Sequence, residues 1–93
     1  MSNRWLRLID EATKQGNEYL VRKFREKLIA SIAYAIQQAA AELDKHRLQH
    51  LLNKAKELRS KFGLTELDLY IELGEKELKR ITELRKKQGS GLS

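Results

Sequence analysis

Two histidines, His46 and His50, sit four residues apart in "DKHRLQHLLNK". On a helix that spacing stacks two imidazoles on one face, enough to hold a zinc or nickel ion weakly. A structural zinc site wants four protein ligands and a catalytic one usually three. Glu57 shares the face but lies two turns from His50, and Glu42 joins only if the preceding helix runs on unbroken. No partner that would orient either ring is in view. A solvated polar face is therefore expected, with no metal site. The acids Glu66, Asp68, Glu72, Glu75 and Glu77 fall in one stretch. Acid–base chemistry needs burial that drives two carboxyl pKa values apart, and no pattern puts a pair of them in an apolar pocket. Their spacing is not that of a calcium loop, and "GEKELK" lacks the glycines of a phosphate loop. Ser31 lies in an apolar row with no histidine near it in sequence, and reads as a small packing residue. The expectation is no catalytic, cofactor-binding or metal residue, and no enzyme.

Two features point toward binding. Arg22, Lys23, Arg25 and Lys27 cluster in one segment and could touch phosphates, but Glu18 and Glu26 interrupt them, and a solvated helix face is the expected reading. Tyr34 falls off the apolar rows, so its hydroxyl could reach solvent at a cleft. Against these, the net charge of +6 arises from nineteen basic residues mixed with thirteen acids along the whole chain. The densest run, "RKKQ" at 85 to 88, is expected at a helix end, where cations complement the dipole without a partner. Exposed aromatics to stack on bases look scarce.

The elements that would position these residues are all helical. The chain has 93 residues, 41% hydrophobic and 34% charged, and no proline or cysteine. That is one domain with room for a core and no disulfide. It has no 18-residue apolar run, and its N-terminus lacks the features of a signal peptide. A first helix is predicted from about Asn3 to Gln15, capped by Ser2 or Asn3, with Trp5, Leu8, Ile9 and Ala12 inward. Gly16 suits the left-handed position after it, and Asn17 caps the second helix. That helix, Glu18 to about Leu43, carries two apolar rows. Val21, Phe24, Leu28, Ala35 and Ala39 form one, with Ser31 in line; Ile29, Ile32, Ala33, Ile36, Ala40 and Leu43 form the other. A helix apolar on two faces is contacted from two directions. Asp44 is expected to cap a third helix, Lys45 to Phe62, whose core positions are Leu48, Leu51, Leu52, Ala55, Leu58 and Phe62. The alternative is one helix from 17 to 62, which would imply a dimer. In the last segment "LDLYIEL" alternates like a strand, but a lone strand has no backbone partner. A helix is predicted instead, with Thr65 and Asp68 as a capping box, Leu67, Tyr70, Ile71, Leu78 and Ile81 inward, and a kink or break at Gly74. The expected fold is all-α: a compact bundle of four to five helices with short loops around a long, Ala-rich second helix. Residues 1–88 form its single domain and 89–93 a flexible tail.

The missing Pro and Cys, the Lys/Glu surfaces of "AKEL" and "GEKELKRITELRKK", and the "GSG" near the end resemble computationally designed helical proteins. Segments such as "EATKQGNEYLVRKF" and "SKFGLTELDLYIELG" read like pieces of natural helical proteins. The whole chain thus resembles designs assembled by recombining natural helical fragments, the approach called SEWING. That resemblance implies a synthetic, monomeric, soluble protein made to test an architecture. It implies no natural activity, no cofactor, no partner, no membrane, nucleic acid not expected, and no natural location beyond the cytosol of an expression host. The second reading is a small basic helical binding module for an acidic protein partner or nucleic acid. The third, a metal-dependent hydrolase at His46 and His50, is the least supported.

Overall fold

A computed structural model describes residues 4–91, with side-chain environments for 4–87. The cap expected at Ser2 or Asn3 therefore lies outside the described residues. Within them the chain is all-α: α1 (Arg4–Lys14), α2 (Glu18–Ala41), α3 (Lys45–Phe62) and α4 (Leu67–Gly91). α4 runs on to Gly91, into the segment expected to be a tail; Leu92 and Ser93 lie outside the described residues.

The breaks are chemical. After α1, Gly16 takes φ +70°. The Asn17 amide donates to Ala12 O and the Gly16 amide to Thr13 O, closing the helix on itself. Asn17 then caps α2, its side-chain oxygen accepting from the Leu20 amide at 3.1 Å. The same pair of closing bonds recurs after α2, from Asp44 to Ala39 O and from Leu43 to Ala40 O. Here the left-handed residue is Leu43, at φ 56°, with no glycine to signal it. Asp44 caps α3 by accepting from the Arg47 amide. The single helix from 17 to 62 is thus excluded. α3 ends at Gly63, φ +64°.

α2 is the central rod, about 36 Å long at ~1.5 Å per residue. α1 folds back along its N-terminal half, where the Trp5 and Phe24 rings meet at 6.2 Å between centroids. α3 and α4 form a second hairpin, and both pack on α2. Because the two hairpins are offset along α2, the molecule measures 61 × 20 × 16 Å. One buried cluster links them: Ile9 of α1, Leu28, Ile32, Ile36 and Ala39 of α2, Leu48, Leu52, Ala55 and Leu58 of α3, and Leu67 and Ile81 of α4. Leu64, in the turn between α3 and α4, is fully buried and anchors that turn.

Four expectations are corrected. Gly74 does not break α4; it is buried, and a Cβ placed there would stand 2.5 Å from Leu52 Cδ2 and 3.2 Å from Ile36 Cγ2. It is a close-approach residue. Phe62, expected in the core, sits at the last turn of α3 beside the chain reversal and is 37% exposed. Ser31 is exposed, because at ~100° per residue it falls roughly 60–80° to one side of the buried Leu28 and Ala39. Thr65 and Asp68 make no capping box: the Thr65 hydroxyl donates to Glu66 Oε1, while Asp68 turns to Arg59 of α3.

Candidate nucleic-acid interface

Among the described residues, ion pairs engage Lys14, Arg47, Lys56, Arg59, Lys76 and Arg80. Lys56–Glu75 (2.9 Å) and Arg59–Asp68 (2.8 Å) tie α3 to α4. The second is two-pronged, with Arg59 Nε and Nη2 donating to the two carboxylate oxygens. Hydrogen bonding to Asp68, and then its charge, raises the Arg59 pKa above its ordinary value. Lys14–Asp10, Lys76–Glu72 and Arg80–Glu77 lie within single helices, and Arg47 meets Glu42 across the α2–α3 break. The acid cluster of α4 is accounted for in this way: Asp68, Glu72, Glu75 and Glu77 each face a cation, and Glu66 accepts from Thr65. It forms a set of surface ion pairs with no apolar pocket around any two of them.

His46 and His50 are both exposed on α3. Among the described residues no three His, Asp or Glu side chains gather in a way that could hold a metal ion. Glu42, as the C-cap of α2, is engaged with Arg47.

The basic cluster of α2 divides. Arg25 is half-buried and reaches across to donate to Gly63 O at 3.4 Å, so it serves the α3–α4 turn. Arg22 lines a shallow groove of about 740 Å³ beside the α1–α2 turn, where Glu18, Glu26 and Glu66 offset the guanidiniums. That groove is no anion site. Lys23 and Lys27 are exposed and make no ion pair among the described residues.

Those two lysines belong to a longer feature. At ~100° per residue, positions 19, 23, 27, 30, 34, 37 and 41 fall within an arc of roughly 80°. They are Tyr19, Lys23, Lys27, Ala30, Tyr34, Gln37 and Ala41, and every one is exposed. The arc lies opposite Leu28, Ile32 and Ala39, which are buried. α1 and the α3–α4 hairpin dock on the opposite side of α2 and leave this strip bare. None of its own residues is a carboxylate; Glu26 borders it on one side, and Glu77 of α4, paired with Arg80, lines the groove beside Gln37 and Ala41. Tyr19 is 67% and Tyr34 66% exposed, and the Lys23 ammonium stands 5.6 Å from the Tyr19 ring centroid. The expectation that exposed aromatics are scarce is thereby overturned. In the sequence, Tyr34 and the basic cluster stand apart as two separate features. The spacing 19, 23, 27, 34, away from both apolar rows, was the signal that joins them.

The run at 85 to 88 also differs from expectation. α4 continues past it to Gly91, so the last turn carries no base. Arg85 instead donates to Leu43 O at 3.5 Å, meeting the carbonyl end of a different helix, α2. Lys86 and Lys87 are exposed and form no ion pair among the described residues.

No curated protein and no solved structure matches the chain. A family model described as archaeal ribosomal protein aL49 matches residues 1–86. The match overturns the resemblance to designed and recombined proteins, and with it the synthetic origin and the absence of a natural activity. The traits behind that resemblance, no Pro or Cys and Lys/Glu-rich faces, are what any small stable helical bundle selects. The same match overturns three further expectations: that there is no partner, that nucleic acid is not one, and that there is no natural location. Basic residues mixed with acids along a chain leave the same trace in a sequence whether they only keep it dissolved or also bind phosphates. The match spans nearly the whole chain and all of the packed core, and the chain belongs to the archaeal ribosomal protein aL49 family.

Proposed function

We propose that this chain is a non-catalytic structural component of the ribosome that binds ribosomal RNA through the uncovered face of α2. The reading treats residues 1–88 as one helical unit and assigns no catalytic, cofactor or metal residue. Membership of a ribosomal protein family supports it. The observation that carries it is the pair Lys23 and Lys27, exposed, outside any ion pair among the described residues, and on a strip without carboxylates. Lysines that already face carboxylates gain little from a phosphate. Lysines held clear of them release condensed counterions from the RNA on binding.

The test is binding to transcribed ribosomal RNA fragments across a salt series. Affinity should fall steeply with salt. The double variant Lys23→Gln/Lys27→Gln should weaken binding and flatten the log–log salt slope by about 1.5, near the value for two lost phosphate contacts. Unchanged affinity and slope in that variant would remove the α2 face as the RNA-binding surface.

A further inference from the structure

Lysines alone account for attraction to any RNA backbone. They do not account for two tyrosines in register with them. We infer that the strip on α2 is a stacking platform for unpaired bases, with Tyr19 and Tyr34 as its two stations. This rests on the RNA-binding reading above and narrows its ligand to unpaired nucleotides.

The argument starts from what the fold leaves undone. Tyr19 and Tyr34 are two-thirds exposed, so neither supports the core. Single exposed aromatics are ordinary on protein surfaces. Here both rings fall within one arc, about 22 Å apart along the helix at ~1.5 Å per residue. Lys23 and Lys27 stand between them, with Ala30 on the same arc. Ala30 raises no side chain that would lift a ligand off the helix. Each ring offers a π-face, and each lysine a charge for the phosphates linking the bases. Lys23 lies near one face of the Tyr19 ring, 5.6 Å from its centroid. That contact steadies the ring, and the opposite face is left for a base.

In an A-form duplex the base faces are already stacked on one another, and a protein reads backbone and groove shape instead. Aromatic rings on a helix surface gain nothing from them. Unpaired bases expose their faces, and base–aromatic stacking tolerates any sequence. A strip of two rings and two cations without carboxylates thus favours a single-stranded segment, a bulge or a loop over a stem. Stacking on a ring reads no base edge, so the preference is for unpaired character and carries little sequence discrimination.

The experiment compares two RNAs of equal phosphate number, an unstructured single strand and a closed stem, binding to the full chain by fluorescence anisotropy. The variants are Tyr19→Ala, Tyr34→Ala, Tyr19→Phe, Tyr34→Phe and Lys23→Gln/Lys27→Gln, with helicity checked by circular dichroism. The expected result is tighter binding of the single strand. Each Tyr→Ala change should weaken it roughly tenfold without altering its salt slope, while stem binding stays unchanged. Tyr→Phe, which keeps the ring, should restore affinity. The lysine variant should flatten the salt slope for both RNAs. Equal affinity for both RNAs, or tyrosine variants that change nothing or weaken both alike, would overturn the stacking platform while leaving the RNA-binding reading in place. If the tyrosine variants lose association with ribosomes but keep RNA affinity, the strip docks a protein and the inference falls. If neither RNA binds at low salt, both readings fall together.

Discussion

Replacing Gly74 by alanine tests how tightly α4 is seated. A glycine inside a helix costs about 1 kcal/mol relative to alanine. On local grounds Gly74→Ala should therefore stabilise α4. The tertiary surroundings oppose it. The new methyl would lie 2.5 Å from Leu52 Cδ2, 3.2 Å from Ile36 Cγ2 and 3.4 Å from Leu52 Cγ. Leu52 is 1% exposed and Ile36 is buried, so neither side chain can swing into solvent to make room. Overpacking of this kind costs about 1–3 kcal/mol. The net expectation is a loss of about 1 kcal/mol, which lowers the melting temperature by roughly 4–8 °C in a domain of this size. The sign should reverse when Leu52 is shortened. In a Leu52→Ala background the first and third contacts disappear, and the added methyl fills part of the space. Gly74→Ala should then stabilise by about 1 kcal/mol. Guanidinium unfolding of the four proteins, followed at 222 nm with unchanged m-value, gives a coupling of about 2 kcal/mol. A Gly74→Ala protein more stable than wild type, or an equal effect in both backgrounds, would refute the close approach of α4 to α2 and α3.

Leu43→Gly should stabilise by about 1 kcal/mol, because it relieves a left-handed backbone at a half-exposed side chain; a fall in unfolding midpoint would show that the leucine's packing outweighs the strain. Leu64→Ala, in a four-residue turn, should cost as much as a core truncation, about 2–5 kcal/mol, since its side chain is fully buried; a loss below 1 kcal/mol in denaturant titration would contradict that role. Asp44→Ala should cost about 1 kcal/mol by removing the α3 cap, and Asp44→Asn should recover most of it in the same assay. Binding to ribosomal RNA by Lys23→Gln/Lys27→Gln should show a log–log salt slope shallower by about 1.5, as measured by anisotropy between low and moderate salt.

Much of this architecture is written in local signals. Asn17 and Asp44 are cap residues because a short side-chain oxygen can reach the third amide after it, and a sequence displays that directly. The apolar rows of α1 and α3 follow from helical spacing alone, and Ile9, Ala12, Leu48, Leu51, Leu52, Ala55 and Leu58 are buried as that spacing requires. Other features depend on which neighbour arrives. Gly74 is the same glycine whether it ends a helix or admits Leu52, and only the packed hairpin decides. Leu43 adopts a glycine-like conformation because the flanking closing bonds outweigh its local preference. Asp68 leaves its own helix start for Arg59, a partner nine residues back in sequence and one helix away in space. The strip from Tyr19 to Tyr34 is likewise a product of packing. Spacing places its residues on one face, but that the face stays open is settled by where α1 and the α3–α4 hairpin dock on α2. A sequence states which side chains are apolar; which surface remains uncovered is a property of the assembled helices, because burial belongs to pairs of surfaces and exposure is what those pairs leave over.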